Sequence, residues 1–312
     1  MNRDMLKKIV LIVVTVLVVG IVTTGSYAWN LFTSAMTDIQ EEIDYKKTEK
    51  RLQNIDLAEG DPISVLLMGI DEPEGKKDIY RRSDTLIYLT LNPDTKSTHM
   101  VSIPRDTLTE IVGHGKKDKI NHSYAFGGTA MTLRTVEKFL NAPVDYFVKV
   151  DMKGFQDIVD AVDGIEVTNS FEFTQDDFTF EKGPIHLGGE EALSYIRMRK
   201  EDPKGDFGRQ KRQRQVIQAL LEKGSTLPGL TSSITNLEEI ITSVSGSVRT
   251  NLGLKEMWDI QSNYVDALRH IKEHEIEGKE TKESKVFYYI PDDEKMKQLS
   301  KDLNEQLGRS GE

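Results

Sequence analysis

The sequence predicts a single layered α/β/α domain with a mixed central sheet, preceded by an N-terminal transmembrane helix and a polar stalk. Strand patterns and amphipathic helical patterns alternate from about Asp61 to Pro291 without an internal repeat, which is how an α/β layer fold reads. A chain of 312 residues, 38% hydrophobic and 29% charged, is a folded protein with room for one large or two ordinary domains. Ahead of the alternation, Arg3, Lys7 and Lys8 precede a nearly unbroken apolar run from Ile9 to Val22.

That run sets the first boundaries. Residues 1–8 form a basic tip that stays in the cytoplasm, and 9–29 form a signal-anchor in the cell membrane, with Tyr27, Trp29 and Phe32 near the outer interface. The topology is single-pass type II, with everything beyond the anchor extracellular. Ser26-Tyr27-Ala28 offers small residues to a signal peptidase, so a cleaved signal is the alternative. Residues 30–60 are expected to form a solvated, helical stalk, because Thr37 to Arg51 is dense in Asp, Glu, Lys and Arg.

The domain, 61–291, opens with three short strands. Ile63–Met68 ends in Gly69, Thr85–Leu91 stops at Asn92-Pro93-Asp94, and His99–Ile103 stops at Pro104. Helices are expected at Thr129–Leu140, Gly154–Val162, Glu190–Tyr195, Gly208–Leu221 and Leu254–His270. Further strands are expected at Tyr146–Val150, Ile165–Val167 and Val286–Ile290. Residues 292–312 read as a polar, loosely held tail.

Composition removes several function classes. The net charge of −10 opposes a general nucleic-acid-coating role, and the absence of cysteine removes thiolate nucleophiles, disulfides and cysteine-ligated zinc. Any chemistry must come from oxygen and nitrogen groups.

Two constellations carry such groups. One lies at strand ends: Gly69-Ile70-Asp71, Arg81-Arg82-Ser83-Asp84-Thr85 and Ile103-Pro104-Arg105-Asp106. If the three strands are neighbours, Asp71, Asp84 and Arg105 converge at one sheet edge, where α/β folds place ligands. A hard divalent cation relieves the repulsion of two such carboxylates and leaves positions open for phosphate oxygens. Solvated strand-end acids and turn formers are the plainer reading. The other constellation runs from Arg197 to Arg214, with eight Lys or Arg against three Asp or Glu inside an acidic chain. Arg209, Gln213, Val216 and Leu220 share a helical stripe, and a helix amino end flanked by arginines suits a pyrophosphate. A solvated basic helix face is the plainer reading here, and nucleic acid is disfavoured because the run lacks stacking aromatics.

These pieces together resemble the LytR-CpsA-Psr family of Gram-positive cell-wall enzymes. The matching segments are Leu66-Leu67-Met68-Gly69-Ile70-Asp71, Arg82-Ser83-Asp84-Thr85, Ser102-Ile103-Pro104-Arg105-Asp106, Lys119-Ile120-Asn121-His122-Ser123-Tyr124-Ala125-Phe126-Gly127-Gly128, and Ala192 through Arg214 with its Gly-Asp-Phe-Gly-Arg-Gln stretch. They occur in the family's order across about Ile63 to Leu221.

The resemblance implies a phosphotransferase. It would move an anionic polymer, such as wall teichoic acid, from undecaprenyl pyrophosphate to a peptidoglycan muramic acid hydroxyl and release undecaprenyl phosphate. It further implies Asp71 and Asp84 as ligands of Mg²⁺, or of Mn²⁺ in its place, and Arg82, Arg105, Arg197, Arg199 and Arg209 as a pyrophosphate clamp. Asp206 and Gln213 would orient that clamp, Lys119 would be a further phosphate contact, and an apolar tunnel would hold the polyprenyl chain. Phosphoryl transfer of this kind rests on positioning and charge neutralisation, with Arg105 central and Asp106 or Asp206 taking the acceptor proton. Many members carry an arginine just after the first Gly-x-Asp, where this chain has Glu72-Pro73-Glu74, leaving Arg81 as a candidate substitute. The implied partners are the lipid-linked polymer, peptidoglycan and the cell membrane, with no nucleic acid. A ligase for capsular or other wall polysaccharide is the near alternative. A membrane-anchored transcriptional attenuator and a non-catalytic wall or lipid-binding module are alternatives of other classes.

Overall fold

The computed structural model describes residues 37–43, 54–71, 81–226, 244–283 and 286–309. The expected membrane anchor, most of the stalk and the loop holding Glu72-Pro73-Glu74 lie outside the described residues. Among the described residues no helix is long and apolar enough to cross a membrane.

A six-stranded mixed sheet organises the chain. Its strands are β1 (Ile63–Asp71), β2 (Arg82–Asn92), β3 (Ser97–Ser102), β6 (Tyr146–Val150), β11 (Val248–Thr250) and β12 (Ile271–Glu275), in the order β11-β6-β1-β2-β3-β12. The β1–β2–β3 meander is antiparallel, whereas β6 joins β1 and β12 joins β3 in parallel. Parallel pairing requires a long crossover. That crossover is where the remaining elements enter: a β4–β5 ribbon (Leu108–Ile111, Lys116–Lys119) and α1 (His122–Leu140) before β6.

Residues on both sides of the strands are buried, because layers cover both faces of the sheet. Leu66, Met68, Leu86, Tyr88 and Val101 meet Leu133, Val136 and Leu140 of α1 on one face. On the other, Val65, Ile87, Leu89 and Met100 meet Ile217 and Leu221 of α4 (Asp206–Thr226) together with Ile260 of α5 (Leu254–Asn263) and Leu268 of α6 (Val265–Leu268). A third cluster joins α2 (Met152–Ala161), α3 (Gly189–Arg197) and α4 to the ribbons β7–β10 (Ile165–Asn169, Gly183–Leu187) and β8–β9 (Phe173–Gln175, Phe178–Phe180).

Several expectations are corrected by packing. The chain after Asp292 is not a loose tail: α7 (Asp293–Gln306) caps its amino end with Asp292 and buries Leu299 and Leu303 against the α1 face of the sheet. Its apolar residues are few but fall on one stripe, which a polar composition conceals. The described part of the stalk is not a free, solvated helix either. Ile39 is 1% exposed among Val244 and Val248, Gln40 bridges Thr250, and the Glu41 carboxylate binds Lys149 and Thr129. The expected helix Leu254–His270 is two, broken at Tyr264, whose fully buried ring and hydroxyl bond to the Asp61 carbonyl fix the bend. The ribbons β4–β5 and β13–β14 (Gly278–Glu283, Val286–Pro291) each have one strand made mostly of charged residues, Lys116–Lys119 and Gly278–Glu283, so only Val286–Ile290 is visible as periodicity. Thr129–Leu140 extends back to His122 across a break at Gly127 and Gly128, the latter at φ 61°.

Candidate active site

A cavity of ≈ 430 Å³ opens between the sheet and helices α2, α3 and α4. Its floor is apolar: Leu67, Ile87, Val148, Phe155, Ile158, Leu193, Ile196, Val216, Ile217 and Leu220 all line it. Asp71, Asp84, Arg105, Arg197, Arg209 and Gln213 line the same space, so both sequence constellations arrive at one place. The stripe Arg209, Gln213, Val216 and Leu220 faces it along α4, passing from guanidinium to alkane over three turns.

Asp84 is the hub. The β1–β2 register pairs Gly69 with Thr85 but Ile70 with Ser83, which leaves Asp84 without a partner on β1. A bulge of this kind re-aims a side chain out of the sheet's alternation. The Asp84 carboxylate accepts Arg105 Nη1 at 2.9 Å on one oxygen and Asn121 Nδ2 at 2.8 Å on the other. Asn121 precedes α1 but makes no side-chain cap bond to it, and is thereby available to cross to the sheet edge. Gln213 Nε2 donates to Thr85 Oγ1 at 3.0 Å, tying α4 to the start of β2.

Arg209 lies 2.7 Å from Asp206 and is largely buried. Burial, with help from the charges of Arg105 and Arg199, holds its pKa below the ordinary guanidinium value, against the opposing pull of Asp206 and Asp84. Four charged side chains therefore share one field with Arg209. Arg105 Nε, Arg209 Nε and Asn121 Oδ1 are buried without a hydrogen-bond partner. The two arginine Nε atoms are unmet donors on residues that line the cavity, and such donors are what an oxyanion ligand satisfies.

Asp71 and Asp84 offer hard oxygen donors from adjacent strands to the same cavity, and each Asp84 oxygen, with one donor bound, keeps a lone pair. That donor set suits Mg²⁺, which takes one or two carboxylates and keeps its other positions for water and phosphate. Among the described residues no group of three or more His, Asp or Glu collects as a metal cluster.

Other expected site residues lie elsewhere. Arg82 is exposed, paired in register with Asp71, and does not line the cavity. Lys119 is not in the cavity: its ammonium binds Asp106 at 2.6 Å on the β4–β5 side of the mouth. Asp106 and Asp206 border the cluster without lining the cavity. The first turn of α4 starts at Asp206, and of that turn Arg209 lines the cavity whereas Asp206, Phe207 and Gly208 do not.

The positive surplus of the Arg197–Arg214 run is also not all directed at the cavity. Arg212 is buried, bonded to Asp202 at 2.5 Å and to the carbonyls of Tyr195 and Met198, with Phe173 and Tyr195 rings beside it. Arg214 is buried in bonds to Glu273 and Glu275 of β12. These two arginines fasten α4 to its neighbours. Sequence reading missed Asn121 and Thr85 as site partners. Asn immediately before a helix signals a cap, and nothing local indicates that it serves a sheet edge instead.

An apolar cavity with arginines and two carboxylates at one end, held between a mixed sheet and three helices, has the makeup of a site for a ligand with an apolar body and an anionic head group. The chain belongs to the LytR_cpsA_psr family, whose model matches residues 26–305. It is 50% identical over 309 residues to the polyisoprenyl-teichoic acid–peptidoglycan teichoic acid transferase TagU of Bacillus subtilis, covering 98% of each chain. Among solved structures, Bacillus subtilis TagU is 52% identical with a TM-score of 0.63, over 79% of this chain and 97% of that one. TagT bound to LIIa-WTA is 30% identical with a TM-score of 0.71, over 86% and 100%.

Proposed function

We propose that this protein is a teichoic acid transferase that moves the polymer from a polyisoprenyl pyrophosphate carrier to peptidoglycan, in a membrane-anchored, extracellular setting. The observation that carries the reading is the Asp84–Arg105–Arg209 cluster closing the end of an apolar cavity. The polyprenyl chain takes the cavity and the pyrophosphate takes the arginines. Its anionic oxygens replace the missing partners of Arg105 Nε and Arg209 Nε. Arg197, in the cavity wall, and Arg199, within the field of Arg209, extend the clamp.

The acceptor hydroxyl oxygen forms a bond to the polymer-side phosphorus, and the bond from that phosphorus to the bridging oxygen breaks, releasing polyprenyl phosphate. The hydroxyl proton passes to Asp106 or Asp206, the two carboxylates bordering the mouth. Arg105 and Arg209 neutralise charge on the phosphoryl oxygens and on the departing one, where preorganised cations are most effective. Asp71 and Asp84 would hold Mg²⁺, whose role when bound is to neutralise further phosphate charge. Gln213 and Asn121 fix the position of Thr85 and Asp84.

The test uses full-length protein, a lipid-pyrophosphate saccharide donor, Mg²⁺ and uncrosslinked glycan strands. Transfer is expected, and Arg105→Ala or Asp84→Asn should lower it by about a hundredfold or more at unchanged melting temperature. Chelation should stop it and added Mg²⁺ restore it. Undiminished transfer in both variants would remove the site.

A further inference from the structure

Beyond the cavity, the structure closes a ring of contacts that the donor reading does not use. Arg105 Nε stands 3.7 Å from Asp106, and Asp106 binds Lys119 at 2.6 Å. Lys119 lies over the Tyr288 ring at 5.7 Å. Next to Tyr288, the Tyr289 backbone N–H donates to the Asp106 carbonyl at 2.9 Å, and its ring meets Phe207 edge-on at 5.7 Å. Phe207 follows Asp206, which binds Arg209, and Arg209 shares a field with Arg105 and Asp84. The circuit returns to its starting point.

Phe207 is the exposed member of this ring, and the others are half-buried or buried. Phe207 is 39% exposed on the first turn of α4, a large apolar side chain that no packing requirement places in solvent, and Tyr288 is half-buried on β14. An aromatic ring beside hydrogen-bonding groups, as Tyr288 is beside Lys119, suits the apolar face and hydroxyl edge of a sugar ring. Within the ring each cation is already matched: Arg105 with Asp84, Lys119 with Asp106, Arg209 with Asp206. Such a surface has no positive surplus for a polyanion and carries two carboxylates that repel one. Arg197 and Arg199, exposed on the α3 side, carry the charge that a phosphate-rich polymer would follow.

We propose that Phe207, Tyr288, Lys119 and Asp106 line the acceptor subsite, meeting successive neutral saccharide rings of the glycan strand and presenting a hydroxyl to the phosphorus held by Arg105 and Arg209. The inference rests on the transferase reading above and adds the side of entry. A nucleophile must arrive in line with the leaving group. With the leaving polyprenyl phosphate in the cavity, the acceptor comes from outside it, where this rim lies.

The test measures initial rates of the full-length protein with the lipid-pyrophosphate donor and uncrosslinked glycan strands, varying each in turn, alongside equilibrium binding of the donor. Tyr288→Ala and Phe207→Ala should each raise the KM for the glycan by about tenfold. The kcat, donor KM and donor affinity should stay within about twofold of wild type, and Tyr288→Phe should recover wild-type acceptor KM because the stacking face returns. If Tyr288→Ala does not fold, Phe207→Ala carries the test from its exposed position. Unchanged acceptor KM in a folded Phe207→Ala and Tyr288→Ala overturns the subsite while leaving the transferase reading intact. A donor KM that rises in step assigns the rim to the polymer and likewise overturns it. Absence of transfer by the wild type overturns the transferase reading and the subsite with it.

Discussion

Asp84 shows how a single residue converts local irregularity into a site. Spacing alone places Asp71, Asp84 and Arg105 near one edge, but the bulge that frees Asp84 from β1 is what lets it meet Arg105 and Asn121 together. Arg212 illustrates the opposite outcome: a basic residue in a basic run that serves structure. It is 4% exposed and its charge is matched by Asp202, itself packed so closely against Gly208 that a Cβ there would collide with the carboxylate. Asp202→Ala is expected to cost about 3 kcal/mol in urea unfolding, because it leaves a buried guanidinium uncompensated. Arg212→Met with Asp202→Asn should be less destabilised than the sum of the two single changes, since neither charge is then stranded.

At the level of elements, α7 and the β3–β12 pairing hold the edge of the sheet. Leu303 is fully buried against the sheet, so Leu303→Ala should lower stability by about 2–4 kcal/mol, whereas a loosely held tail would show no change in the denaturation midpoint. The rings of His99 on β3 and His274 on β12 lie tilted to one another with centroids 4.8 Å apart. Burial, followed by the charges of His274 and Lys272, pushes His99 down from 6.5 to about 4, with Asp302 opposing, and burial lowers His274 as well. The unfolded chain therefore takes up protons on these residues at a higher pH than the folded one does. The His99 contribution is complete above pH 6.5 and is lost as pH falls from there towards about 4, and His274 acts in the same direction. Urea midpoints measured across that window should decline, and the decline should flatten in His99→Gln and His274→Gln.

Across the whole molecule, the cavity depends on three helices meeting one sheet face at a distance, and its volume rather than any one side chain sets what fits. Leu220→Trp, which adds bulk to the cavity wall on α4, should raise the KM for a long polyprenyl donor by at least about tenfold while sparing a donor with a short prenyl chain. Equal effects on both donors would mean that the chain lies elsewhere. The global charge of −10 is compatible with this chemistry because the cluster at the mouth is local: low dielectric and short distances outweigh distant surface acids that solvent screens.

Periodicity, turn residues and motif order determined the α/β class, the three opening strands, the main helices on either side of the sheet and, among the residues that reach the cavity, Asp71, Asp84, Arg105, Arg197, Arg209 and Gln213, though the same patterns also offered Arg82, Arg199 and Lys119, which do not line it. These are local properties: a strand's alternation or a helix's stripe is written in neighbouring residues. Tertiary structure alone decided that residues 293–306 pack, that Lys119 turns to Asp106, that Arg212 and Arg214 brace α4, and that Asn121 crosses to Asp84. In each case the partner lies far off in sequence or on another element. A polar side chain pairs with whatever group lies within about 3 Å after folding, and the chain's own order does not encode that distance.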